Sequence, residues 1–250
     1  MTALITGASS GIGRDIARKL GSMGIRLIIS GRDRERLEAL RQEIGARRVK
    51  VIVADISHRG ECLRLYREAS AYGVDILVNN AGFGLFGKFS VTELERELDM
   101  IDVNIGAVHI LTKLFLRDFS ARDKGYILNV ASIAGFMPGP LMSTYYASKN
   151  YVVRLTEAIH EELRFQHSRV YIGAFCPGPV DTRFNDTAGV KFALRGISSE
   201  YAAECAVKGM FARKMLITPT LSVKAAIVAS RFLPDSAVAF AARLVQSQKG

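Results

Sequence analysis

The chain has 250 residues, 49% of them hydrophobic and 23% charged, with a formal net charge of +10, which suits one α/β domain with a large core or two small ones. Its three cysteines stand far apart without a CxxC pair and its four histidines lack ligand spacing, so neither a disulfide framework nor a metal site is expected. The basic residues are interleaved with acids and apolar positions, as in "GRDRERLEALRQEIGARR", which reads as a solvated basic surface and argues against nucleic acid as a partner.

In chain order, "TALIT" (2–6) reads as a buried strand that runs straight into "TGASSGIGRDIARKL" and a helix over 11–23. "IRLIIS" (25–30) is a second strand, followed by Gly31, Arg32, Asp33 and a helix over 33–44. "VKVIVA" (49–54) leads into Asp55 and Ile56 and a helix over 58–71, and "VDILVN" (74–79) into Asn80, Ala81 and Gly82. A long helix is predicted over 91–119. "GYILNV" (125–130) leads to Ser132 and a helix over 143–167, "RVYIGAF" (169–175) to the turn "CPGPVDT", and a seventh strand is expected near 214–218. The strands are Ile-, Val- and Leu-rich without alternation, as parallel strands covered on both faces are. Strand–helix alternation of this kind predicts an α/β doubly wound parallel sheet of about seven strands with helices on both faces. No repeat or linker divides residues 1–250, so a single domain is expected. From Pro219 two apolar segments split by Pro234 suggest a C-terminal helical appendage near 219–250. With no leader before the first strand and no apolar run of spanning length, the expected location is cytoplasmic.

Gly7, Gly11 and Gly13 follow the first strand and open a helix, the context in which backbone N–H groups approach a pyrophosphate; Ser9, Ser10 and Ile12 belong to the same turn. The other chemical signal is "STYYASKN" (143–150), where Lys149 is four residues after Tyr145 and three after Tyr146. Either phenol can reach the ammonium on a helix. Tyr145 shares a mostly apolar stripe with Lys149, Val152, Thr156, Ile159 and Leu163. Tyr146 shares a polar one with Asn150, Arg154, Glu157 and Glu161, so Tyr145 is expected to face the site and Tyr146 solvent, the site entrance or a subunit. A free phenol titrates near pH 10, and a neighbouring ammonium lowers that value towards use as an acid–base.

"TGASSGIG" (6–13), "NNAG" (79–82), Asn104 in "DVNIGA", Ser132 in "NVASIAG", "YYASK" (145–149) and "PGPVDT" (177–182) together resemble the short-chain dehydrogenases/reductases, in the family's order and at its intervals. The resemblance covers residues 2–182 and fades beyond them. It implies a Rossmann-type fold and a catalytic tetrad of Asn104, Ser132, Tyr145 and Lys149. Ser132 would hold the substrate oxygen, Tyr145 would exchange its proton, Lys149 would bind the nicotinamide ribose, and Asn104 would hold a relay water. Tyr145 stands thirteen residues after Ser132, as the family's tyrosine does. The implied cofactor contacts are Gly7, Ser9, Ser10, Gly11, Ile12, Gly13, Asp55, Ile56, Asn80, Ala81, Gly82, Tyr145, Lys149, Pro177, Gly178, Val180 and Thr182.

The end of the second strand bears on cofactor choice. An acid there would bind the ribose hydroxyls of NAD, whereas this chain has Gly31 and then Arg32, whose planar fork suits the 2′-phosphate of NADP. Asp33, one position late, keeps NAD possible. The substrate wall is expected from Phe83, Leu85, Phe86, Phe136, Met137, Pro179 and Phe184, which favours a hydrophobic carbonyl or alcohol. A flap is expected near 183–198, where Arg183 and Lys191 keep an acyl-type substrate open. The family also implies a homodimer or homotetramer. Two other readings stay open: a non-catalytic NADP-binding sensor, against which the complete tetrad argues, and weak membrane-surface contact through the C-terminal segment.

Overall fold

Strand β1 (Thr2–Thr6) is buried at all five positions. Its residues alternate between two cores: Ala3 and Ile5 pack with Ile16, Leu20 and Leu37 on one face, while Leu4 packs with Leu65, Leu111 and Phe115 on the other. Side chains on a strand point to opposite faces, so a sheet covered on both sides needs apolar residues at every position. This computed structural model describes residues 1–182 and 196–247.

The sheet contains β1, β2 (Arg26–Gly31), β3 (Val49–Val53), β4 (Ile76–Asn79), β5 (Tyr126–Val130), β6 (Tyr171–Phe175) and a two-residue strand, Leu216–Ile217. Their order is β3-β2-β1-β4-β5-β6 followed by Leu216–Ile217, and every pairing is parallel. The order reverses between β1 and β4, and a crevice opens beyond the carboxyl ends of strands at such a point. Helices α1 (Gly11–Ser22) and α2 (Arg34–Ile44) cover one face with the helix Ser199–Phe211; α3 (Arg59–Ser70), α5 (Val108–Ala121) and α6 (Ser143–Phe165) cover the other.

A buried polar ladder ties the middle strands to α5 and α6. Asn79 Nδ2 donates to Thr112 Oγ1 and Asn129 Oδ1, Asn129 Nδ2 donates to Thr156 Oγ1, and Thr156 Oγ1 donates to the Val152 carbonyl.

Three features depart from the sequence reading. The helix expected over 91–119 is α4 (Leu94–Ile101) and α5, joined by a wider π turn over Asp102–Ala107 that contains Asn104. Of the flap expected over 183–198, only 196–198 fall among the described residues, and Ile197–Ser198 pairs in parallel with Val180–Asp181. The C-terminal segment forms the helices Leu221–Ser230 and Asp235–Ser247, the first capped by Thr220, whose hydroxyl accepts from the Val223 N–H at 3.3 Å. Among the described residues no helix is long and apolar enough to cross a membrane.

Candidate active site

At the end of β1 the chain turns through Gly7 (φ +65°) and Gly11 (φ +53°), backbone that side chains rarely tolerate. A Cβ on Gly13 would lie 2.2 Å from Asn80 Nδ2. Asn80 braces this turn, donating to the carbonyls of Thr6 (3.0 Å) and Gly7 (3.2 Å). Ser10 caps α1 in extended backbone, with no hydrogen bond from its side chain. The first-turn N–H groups of a twelve-residue helix therefore remain open to an anion. The turn fits a dinucleotide phosphate group on this geometry. Ser30 Oγ, buried and without a partner, lies at the same end.

At the end of β2, a Cβ on Gly31 would meet Ser9 Oγ at an ordinary 3.5 Å, so packing does not demand glycine there. The Arg32 side chain is 71% exposed, with Nη1 3.9 Å from Asp55 Oδ2. Asp33 caps α2 by accepting from the Arg36 N–H at 3.1 Å and pairs with Arg36 Nε at 3.0 Å. Its carboxylate is thus committed to the helix. Arg36, which the sequence reading passed over, lines the same end of the cavity as Arg32 and Asp33. Its place in the first turn of α2, beside Arg32 and Asp33 in sequence, was the available signal. Burial opposes ionisation of Asp55, but hydrogen bonds from the Ser57 hydroxyl and N–H, with the charge of Arg32, hold its carboxyl below the usual value.

Asn104, Ser132, Tyr145 and Lys149 come together at the other end. Asn104 is wholly buried in the π turn. Its Oδ1 accepts from the Phe83 N–H (3.1 Å), and its Nδ2 donates to the Phe83 carbonyl (2.9 Å) and Ser148 Oγ (3.0 Å). The amide therefore clamps the loop after β4 onto α6. A Cβ on Gly82 would sit 2.8 Å from Asn104 Oδ1 and 3.4 Å from Lys149 Nζ, so only glycine lets that loop lie so close. Ser132 Oγ caps the short 3₁₀ turn Ile133–Phe136, accepting from the Ala134 N–H at 3.1 Å. Lys149 Nζ donates to the Val130 carbonyl at 2.9 Å and stands 5.9 Å from the centre of the Tyr145 ring.

The electrostatics differ from the expectation. Burial raises Tyr145 above the ordinary phenol value, and the hydrogen bond with Ser132 only partly opposes it. Burial also lowers Lys149 to about 8, with Cys176 a lesser opposing influence. The lowering of Tyr145 by Lys149 is absent: the ammonium sits over the ring and is bound to Val130.

One cavity of about 1030 Å³ joins the two ends. Of the expected cofactor contacts, Gly7, Ser9, Ser10, Gly11, Ile12, Arg32, Asp55, Ile56, Asn80, Ala81, Gly82, Pro177, Gly178, Val180 and Thr182 line it with Ser132, Tyr145 and Lys149, while Gly13 and Asn104 stand behind its wall as packing and clamp. Phe83, Met137 and Pro179 line it as expected. Leu85, Phe86 and Phe136 do not: Phe86 packs on Met142, and Phe136 on the cluster around Val152. Phe184, Arg183 and Lys191 lie outside the described residues. The missing wall comes from the C-terminal helices and the turn between them, through Ala226, Ala229, Leu233, Val238, Ala241 and Ala242. The segment read as an appendage is therefore part of the site. Of the places expected for Tyr146, solvent, the site entrance or a subunit, the structure gives a place on the cavity lining, in edge contact with the Tyr145 ring at 6.0 Å and hydrogen-bonded to Gln246.

Comparison with known proteins gives a consistent result. The family model described as short chain dehydrogenase matches residues 1–193. An uncharacterized oxidoreductase of Staphylococcus epidermidis is 34% identical over 196 residues, 77% of this chain and 83% of the relative. Nodulation protein G of a Rhizobium species is 35% identical over 189 residues, 74% of this chain and 75% of the relative. Among solved structures, a short-chain dehydrogenase from Sphingobium yanoikuyae in complex with NADPH superposes with a TM-score of 0.84 at 29% identity, covering 91% of both chains. A short-chain dehydrogenase/reductase from Burkholderia phymatum in complex with NAD gives 0.82 at 27% identity, also over 91% of both.

Proposed function

The chain belongs to the short-chain dehydrogenase/reductase family and is an oxidoreductase, and from that premise we propose that it moves a hydride reversibly between NADP(H) and the carbonyl or alcohol of a neutral, apolar compound. The observation that carries this reading is the junction, within one cavity, of the glycine turn and paired Arg32 and Arg36 with Ser132, Tyr145 and Lys149. The nicotinamide supplies or accepts the hydride. Tyr145 gives its hydroxyl proton to the substrate oxygen during reduction and takes it back during oxidation, while Ser132 holds that oxygen by hydrogen bond. Lys149 brings a buried amine to the ribose side of the cavity, where it would bind the nicotinamide ribose. Asn104 is a positioning residue that fixes the loop 80–83 on α6 and, with it, the relay path near Lys149.

The preference for NADP rests on the exposed guanidinium of Arg32, the nearby Arg36 and the commitment of Asp33 to a helix cap. The Sphingobium relative is described with NADPH and the Burkholderia relative with NAD, so the fold accommodates both. The apolar substrate class rests on Leu233, Val238, Ala241, Ala242, Met137 and Met142, which bring no charge to the substrate end. A panel of carbonyls and alcohols assayed with NADPH and NADH in parallel tests the reading. Turnover of apolar ketones, faster with NADPH, is expected; turnover confined to charged substrates, or to NADH, overturns the corresponding half.

Two associations belong to the same reading. Leu94, Leu98 and Ile101 are exposed in a row on α4, which supports assembly into a homodimer or homotetramer, checked by light scattering. Leu221, Phe232 and Phe240 are exposed on or beside the C-terminal helices near Arg231 and Arg243, which supports weak contact with an anionic membrane surface. Salt-sensitive vesicle binding that is lost on truncation at Pro219 is the test.

A further inference from the structure

The Tyr146 hydroxyl and the Gln246 amide meet at the tyrosine end of the cavity. Gln246 is fully buried on a helix whose other cavity-lining residues are Val238, Ala241 and Ala242. Its Nε2 donates to Tyr146 Oη, and its Oε1, also buried, has no partner. A hydroxyl that accepts from an amide keeps its own proton to give. Half a turn of the amide about its last bond exchanges the roles, so that the carbonyl takes the Tyr146 proton and both N–H groups are left over, with the Tyr146 oxygen free to accept. In both arrangements the pair retains at least one donor and one acceptor. Unspent polar groups in an apolar wall are costly, and they are kept where something else satisfies them. Met142, which packs against Tyr146, offers no hydrogen-bond donor.

We propose that Tyr146 and Gln246 form a polar subsite for a hydroxyl group of the substrate, so that the preferred substrate is an apolar hydroxy-ketone or the matching diol. A hydroxyl accepts one hydrogen bond and donates another, which answers both groups left over by the pair. A carboxylate does not suit it, because a negative charge would lose its solvation among alanines and methionine. The proposal rests on the hydride-transfer reading of Tyr145 and extends it to a second recognition point one residue along α6.

The test is the ratio of kcat/KM for medium-chain aliphatic hydroxy-ketones, in a series that moves the hydroxyl along the chain, to that for the same ketone without it. At the best position the wild type should favour the hydroxylated compound about tenfold. Tyr146→Phe and Gln246→Leu should each bring that ratio close to one, and the double variant should lower it no further. NADPH affinity in each variant reports whether it is folded. A wild-type ratio near one throughout the series, or an equal fall for both compounds in the variants, overturns the subsite. If the wild type turns over neither compound with either nucleotide, the hydride-transfer reading fails and binding alone decides the subsite. A larger Tm rise with the hydroxylated ketone that disappears in Gln246→Leu supports it; equal rises overturn it.

Discussion

The Lys149 ammonium stands 5.9 Å from the centre of the Tyr145 ring while donating to the Val130 carbonyl at 2.9 Å. It is a buried cation that pairs with no carboxylate among the described residues, and burial lowers it to about 8. In the unfolded chain a lysine titrates near 10.4. Between these values the unfolded state binds more protons, so this group makes stability rise with pH from about 8 to about 10.4 and leaves it at its lowest contribution below 8. Lys149→Met is therefore expected to stabilise the protein at pH 7 by about 2 kcal/mol, less than the full linkage because the bond to Val130 is lost. The same variant should lose cofactor affinity and rate. Denaturant unfolding at pH 7 and pH 10 checks the sign; a variant less stable than wild type at pH 7 contradicts it.

Tyr145→Phe should lower kcat by at least about a hundredfold, within the range for loss of a general acid–base, while NADPH affinity stays within a few fold. Tyr146→Phe should cost about tenfold at most, because it removes a recognition contact rather than the transferable proton. Steady-state rates and fluorescence titration of the nucleotide separate the two. The reverse ranking would show that α6 presents the other phenol to the substrate.

Arg32→Ala should weaken NADPH ten- to a hundredfold and spare NADH, since a charge-assisted contact to a phosphate is worth about 1.5–3 kcal/mol. Arg36→Ala should act in the same direction but also loosen the cap of α2, where Asp33 holds both its N–H and its side chain. Gly31→Asp combined with Arg32→Ala should improve NADH, and there is room for the new side chain, whose Cβ would meet Ser9 only at 3.5 Å. Dissociation constants at one fixed salt concentration are the measurement; equal losses for both nucleotides from Arg32→Ala would make that residue structural.

Asn129→Leu should destabilise the fold by about 2–4 kcal/mol, because it leaves the Asn79 amide and the Thr156 hydroxyl short of partners inside the protein. Thermal unfolding with and without NADPH should show the same loss in both. A loss that appears only with the nucleotide present would relocate the ladder's role from the core to the site.

The strands and the buried stripe of α6 that carries Lys149, Val152, Thr156 and Leu163 could be read in advance because both follow from local pattern. Parallel strands covered on two faces need Ile, Val and Leu at consecutive positions, and a helix that packs one side sorts its residues into stripes. The π turn at Asn104 left no such trace, since one extra residue in a helical turn changes neither composition nor apolar spacing enough to register. The wall was misjudged for another reason. Leu85, Phe86 and Phe136 are near the site in sequence but do not line it, and the side chains of Phe86 and Phe136 serve neighbouring clusters. Ala226, Ala229, Ala241 and Ala242 shape the cavity from a distance that only the tertiary fold closes. Small residues mark no function on their own. Arg36 was hidden by its surroundings, one arginine in a run of charges.

The division of the cavity has a consequence for descent and for engineering. The nucleotide half is built from β1, β2, β3 and β4 and their turns, whereas the apolar wall is contributed largely after Ile217, where no described residue adds to the sheet. A ribosome releases the nucleotide half first, and the apolar wall of the proposed substrate end arrives last. Exchanging the final helices between relatives is thus a graft onto a finished framework: it should retune substrate choice while the redox machinery is inherited unchanged.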